Sequence, residues 1–120
     1  SSDCRDIEAA FKQGDARAVR TMHLYVNRII NVVGGYYAQL GHVDAIAFTA
    51  GIGENDSLVR EMILKNLEES MGLSIDYAAN QNSHGEEIVI SKPDSKISVV
   101  VCPTNEELVI ARDTVRILGL

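Results

Sequence analysis

The sequence predicts an α/β protein built on a central sheet. Two runs carry that expectation: Asp44-Ala45-Ile46-Ala47-Phe48-Thr49, and Val99-Val100-Val101 within a strand expected at 96–102. Both are apolar or small at nearly every position, the pattern of strands buried on both faces. Helices of amphipathic spacing flank them, giving the order α, α, β, α, β, β, α. The 120 residues are 46% hydrophobic and 23% charged, near the globular average, which argues against wholesale disorder. Aromatics are only 5% and Trp is absent, so the core must be aliphatic.

Each element has a local reason. Ser2 or Asp3 can cap a short helix over about 4–13, with Ile7, Ala10 and Phe11 on one face and Gly14 as its stop. Asp15 opens a long helix to Gly41, on which Val19, Met22, Val26, Ile29, Ile30 and Val33 recur at helical spacing. Gly34-Gly35 interrupts this helix, and Tyr36, Tyr37 and Leu40 continue its pattern. After the strand at 44–49 comes the Gly-rich turn Ala50-Gly51-Ile52-Gly53-Glu54-Asn55. Asn55, Asp56 or Ser57 caps the next helix, 57–71, whose apolar face is read as Leu58, Met62, Leu67 and Met71, with Gly72 as its end. The polar stretch 76–85 reads as a surface turn after a short helical piece. Short strands are expected at 86–91 and 96–102, and a last helix at 105–118 with Leu108, Ile110, Ala111, Val115 and Leu118 on its apolar side.

The net charge of −6 and pI of about 4.9 weigh against nucleic acid as a partner, because an acidic chain repels phosphate backbones. No apolar run approaches the ~20 residues that span a bilayer, so no membrane partner is expected. Cys4 and Cys102 lie far apart and form no disulfide framework or zinc motif, which fits a cytoplasmic location. The chain opens Ser1-Ser2-Asp3 without a Met and reads like the interior of a longer one.

Chemistry concentrates at two strand exits, 50–56 and 103–107. Open α/β sheets bind ligands outside the carboxyl ends of their strands, and both exits can share one sheet edge. In Gly51-Ile52-Gly53-Glu54-Asn55, two glycines permit close backbone approach, and the following helix N-terminus suits a phosphate. The run matches neither the six-residue dinucleotide fingerprint nor a P-loop, so a tight structural turn and a nucleotide site fit it equally well. Glu106 and Glu107 read either as carboxylates complementing a helix dipole or as a magnesium site beside substrate phosphates. Asp3 and Arg5 fit either an exposed cap with a solvated Arg or a contact to ribose and base. His23, His42, His84 and Cys102 read as structural or surface residues.

Three segments resemble one family. Val43-Asp44-Ala45-Ile46-Ala47-Phe48-Thr49-Ala50-Gly51-Ile52-Gly53-Glu54-Asn55 resembles the signature of the acetate kinase family. Ser1-Ser2-Asp3-Cys4-Arg5-Asp6-Ile7-Glu8 resembles a second stretch, with Cys4 where the family usually has Phe. Pro103-Thr104-Asn105-Glu106-Glu107-Leu108-Val109-Ile110-Ala111-Arg112-Asp113-Thr114 resembles its C-terminal signature. The match covers essentially the whole chain.

The resemblance implies part of the C-terminal actin-like ATPase (ribonuclease H-like) domain of the acetate and sugar kinase, Hsp70 and actin superfamily. Residues 1–120 would form a single nucleotide-binding and dimerisation fragment, about the last third of a homodimeric cytoplasmic enzyme. Such enzymes interconvert acetate plus ATP with acetyl phosphate plus ADP, using Mg²⁺ or Mn²⁺. By motif, Asp3, Cys4 and Arg5 would contact ATP. Gly51, Ile52, Gly53, Glu54 and Asn55 would hold adenosine and phosphates, and Glu106 would be the metal-site carboxylate. The acyl pocket and the family's catalytic Arg, Asp and His are expected N-terminal to Ser1, so no catalytic residue is assigned and residues 1–120 alone are expected to be inactive. Two alternatives stand beside acetate kinase. One is a propionate or butyrate kinase, since one methylene is worth only ~1–3 kcal/mol in a pocket. The other is a nucleotide-binding or dimerising module without chemistry.

Overall fold

A computed structural model describes residues 9–49, 57–83, 87–102 and 108–111, the last run through its backbone. Helical backbone at 9–12 stops at Gly14, whose N–H bonds to Phe11 O at 3.0 Å. Helix α1 then spans Ala16–Leu40. Asp15 caps it as expected: its side chain accepts from Arg17 N at 3.0 Å and Ala18 N at 2.9 Å, satisfying two donors of the open first turn. Gly41 closes the helix in the left-handed region at φ 71, its N–H bonded to Tyr37 O at 3.1 Å.

Strand β1 is Ala45–Thr49 and is buried at all five positions. Helix α2 spans Ser57–Met71, and helix α3, Tyr77–Gln81, is capped by Asp76. Strands β2 (Ile88–Val89), β3 (Ser98–Cys102) and β4 (Leu108–Ala111) complete a four-stranded sheet of order β2-β3-β1-β4. β1 runs parallel to β3 and antiparallel to β4, while β2 runs antiparallel to β3. Because strand side chains alternate, Ile46, Phe48, Val99 and Val101 face one side. There they pack in one cluster with Met22, Val26 and Val33 of α1 and with Ile63, Leu64 and Leu67 of α2. Ala45, Ala47, Val100 and Cys102 form a second buried cluster. The expectation of doubly buried strands therefore holds for β1 and β3.

Three expectations need correction. Residues 108–111 form an antiparallel strand on β1, not part of a helix over 105–118; the remainder of that predicted helix lies outside the described residues. The competing principle is plain. A four-residue apolar run carries no decisive period, Val109 and Ile110 are β-branched, and the free edge of β1 offers unpaired backbone groups. The face of α2 is also rotated from the expected one. Val59, Arg60, Ile63, Leu64, Leu67 and Met71 are buried, while Leu58 and Met62 are only half-buried. The stretch read as a surface turn holds helix α3 at Tyr77–Gln81, and although Asp76, Ala78, Gln81 and Asn82 are exposed, Asn80 and Ser83 are buried.

Local ties hold this last stretch in place. Asp76 N bonds Ile90 O at 2.8 Å, and Lys92 N bonds Ser74 O at 2.7 Å, so α3 is fastened to the segment running into the sheet. Tyr77 donates its hydroxyl to Glu68 Oε1 at 3.0 Å, and the Lys65 ammonium lies 5.2 Å from its ring centroid. Burial, reinforced by that bond and by the charges of Glu68 and Glu61, pushes the Tyr77 phenol above its ordinary range.

The α1 stop is directly testable. A Cβ at Gly41 meets no neighbour, so the whole effect of Gly41→Ala is backbone strain at φ 71. We expect a loss of ~1–2 kcal/mol, read as a lower midpoint in chemical denaturation.

Candidate functional site

The sheet register decides where the two polar exits leave. In the parallel β1–β3 pair, Thr49 stands opposite Cys102, so both strands end together. In the antiparallel pair, Leu108 stands opposite Phe48. Residues 50–56 therefore leave β1 beside the strand end from which 103–107 depart, and 103–107 connect the two strands flanking β1. Asp3, Cys4, Arg5, Gly51, Ile52, Gly53, Glu54, Asn55 and Glu106 themselves lie outside the described residues. Glu106 and Glu107 precede a strand at 108–111, so the reading of them as complements to a helix dipole falls away.

Among the described residues, no group of three or more His, Cys, Asp or Glu side chains could hold a metal ion. His42 Nε2 and Asp44 Oδ1 lie 2.7 Å apart, but both are in contact with solvent. His23 is exposed and packs edge-on against Phe11 at 6.3 Å between ring centroids. Cys102 ends β3 in the second cluster, where burial and then the charge of Glu87 push its thiol up from its ordinary value. A raised thiol pKa disfavours the nucleophilic thiolate, in keeping with a core role.

Sequence reasoning missed a polar network at the other end of the 50–56 run. Ser57 begins α2, and Arg60 sits in the same first turn with 0% exposure. Arg60 donates from Nε to Asn80 Oδ1 at 2.7 Å and from Nη2 to Asn80 O at 3.0 Å. Asn80, also fully buried, donates from Nδ2 to Ser57 O at 2.9 Å. A buried arginine must be hydrogen-bonded, because an uncompensated buried charge is strongly destabilising. The available signal was Arg60 standing at i+1 from Val59 and i−3 and i−4 from Ile63 and Leu64, inside an apolar stripe. The sequence reading of 57–71 took only Leu58, Met62, Leu67 and Met71 for the buried face and assigned Arg60 no role.

The mixed helix-and-strand architecture is that of carboxylate kinases of known structure, which have the actin-like ATPase fold. The chain belongs to the Acetokinase family, whose model matches residues 1–112. It is 48% identical over 120 residues to the acetate kinase of Exiguobacterium sibiricum, covering 100% of this chain and 30% of that one. Among solved structures it is similar to the Porphyromonas gingivalis acetate kinase, with TM-score 0.79 and 46% identity over 88% of this chain and 26% of the other. It is also similar to a Francisella tularensis propionate kinase, with TM-score 0.73 and 30% identity over 86% of this chain and 26% of the other. The chain thus spans less than a third of the length of the curated relative it matches. No helix among the described residues is long and apolar enough to cross a membrane.

Ser83 adjoins the network through its N–H, 3.4 Å from Asn80 O. Its Oγ is buried and makes no hydrogen bond among the described residues. Removing a hydroxyl that pays desolvation without a partner should not destabilise. We expect Ser83→Ala to leave stability unchanged or raise it by about 1 kcal/mol in denaturant titration.

Proposed function

We propose that this chain supplies the nucleotide and metal side of a cytoplasmic carboxylate kinase that transfers the γ-phosphoryl group of ATP to acetate, reversibly. The observation that carries the reading is the Thr49↔Cys102 register, which starts the Gly51–Asn55 run and the Glu106 run from neighbouring strand ends. Family membership supplies the chemistry. Gly51, Ile52, Gly53, Glu54 and Asn55 hold adenosine and phosphates, and Asp3, Cys4 and Arg5 add a second contact. Glu106 offers a hard oxygen ligand beside the phosphates, the donor type that Mg²⁺ takes in ones and twos. Bound there, the metal would neutralise charge on the transferring phosphoryl group. Residues 1–120 form one nucleotide-binding and dimerisation unit in this reading. The likeness to a propionate kinase leaves a longer acid as the second reading, because the acyl-contacting residues are expected outside this chain.

A chain of the relatives' full length carrying this segment tests the cradle. Gly53→Val should raise KM for ATP at least tenfold and leave KM for acetate near its original value. An unchanged ATP constant would reject the nucleotide reading.

The partner of this reading is a second copy. Leu24, Val32 and Tyr36 recur at multiples of four on α1 and are 70%, 50% and 51% exposed. Gly34 and Gly35 stand mid-helix, where each costs ~0.5–1 kcal/mol relative to Ala, and open space lies beside both. Close approach of a partner helix would offset that cost. In sedimentation of the full-length chain we expect a dimer, shifted toward monomer by Tyr36→Glu; a monomer at every concentration would reject this surface.

A further inference from the structure

We propose that Arg60 and Asn80 are positioning residues for the nucleotide loop: together they pin Ser57, the point at which residues 50–56 join α2. The inference rests on the nucleotide reading above and adds residues that reading does not use. The opposite end of the run is pinned at Thr49 by the sheet register. The Ser57 end is held by the first turn of α2 and, beyond it, by a side chain from α3. Asn80 Nδ2 donates to Ser57 O at 2.9 Å, tying the first residue of α2 to α3. Arg60 decides which way that amide faces. Its Nε occupies Asn80 Oδ1 at 2.7 Å, so the Asn80 amide group is left to point at Ser57. The second guanidinium bond, Nη2 to Asn80 O at 3.0 Å, fixes the backbone from which that side chain projects. α3 is in turn held to the segment entering the sheet by Asp76 N to Ile90 O at 2.8 Å. The network thus continues from that segment through α3 to the first turn of α2.

The location of the charge supports a functional reason for it. A cation in the first turn of a helix opposes the macrodipole, and the first turn of α2 itself holds no acidic residue. Burying a cation against a neutral amide carries a desolvation cost that its hydrogen bonds only offset. Local choices that defy propensity are expected where function demands them. Here the buried guanidinium lies at the end of α2 that the proposed phosphate loop enters, where positive charge is useful to a bound anion.

The test compares three variants in the full-length chain, each assayed for KM of ATP, KM of acetate and unfolding midpoint. Asn80→Asp keeps an acceptor for Arg60 and replaces the donor to Ser57 O with an oxygen. The double variant Arg60→Met with Asn80→Leu removes the buried guanidinium together with its amide partner, so that neither is left facing the other's absence, and it takes the side-chain donors from Ser57 O and from the carbonyl of residue 80. Gly53→Val reports on the loop itself. Both network variants should raise KM for ATP about tenfold or more, as expected from a displacement of the order of an ångström in a binding loop, while KM for acetate stays within twofold. The double variant should do so while remaining folded at the assay temperature; a purely structural network would lower the unfolding midpoint without raising KM for ATP selectively over KM for acetate. ATP constants within twofold of the parent in a folded network variant, with Gly53→Val raising its own, would overturn the positioning role alone. An unchanged ATP constant in Gly53→Val would overturn the nucleotide reading and this proposal with it.

Discussion

The parallel pairing of β1 with β3 is the constraint on which the rest of the structure depends. β1 is bonded along both edges and buried on both faces, so its side chains have no freedom to serve solvent. A one-residue slip of its register would exchange Ile46 and Phe48 with Ala45 and Ala47 across the sheet and void the packing against α1 and α2. The same register aligns Thr49 with Cys102. Packing in the core and proximity at the sheet edge are therefore one fact. The strand exits are neighbours because the alternative would empty the core.

The helices pack against one face of that pair, and their ends are where local chemistry matters most. Asp15 and Gly41 bound α1 by satisfying or redirecting orphan backbone groups. α2 starts differently. Its first turn carries a buried guanidinium and is braced from α3 by the side-chain amide and backbone carbonyl of Asn80. The two helix starts thus differ in chemistry: one is capped by a carboxylate facing its open N–H groups, the other holds a buried cation bonded to α3.

Much of the fold was legible from residues alone. The long helix to Gly41, the strand at 44–49, the helix at 57–71 and the Val99–Val101 strand all stand where periodicity and caps put them. The strand at 86–91 shrank to Ile88–Val89, with Ser91 continuing as an isolated bridge to Ile75. The segment at 108–111 was misjudged because its preference is decided by a partner, the edge of β1, rather than by its own four residues. The candidate site was legible only as motifs. Gly51–Asn55 and Glu106 were singled out by type and family pattern, and spacing alone allowed a structural turn as readily as a nucleotide cradle.

The sequence by itself determined the class of fold, the bounds of the two long helices and the family, because these rest on periodicity, capping residues and contiguous motifs that need no distant partner. Tertiary structure alone decided three things. It brought the exits of β1 and β3 side by side, since register is settled by packing over both faces at once. It turned a short apolar run into the fourth strand, since an unpaired sheet edge outweighs weak local preference. It buried Arg60 against Asn80, twenty positions further along the chain, because a polar residue joins a core only where a distant segment supplies its hydrogen bonds.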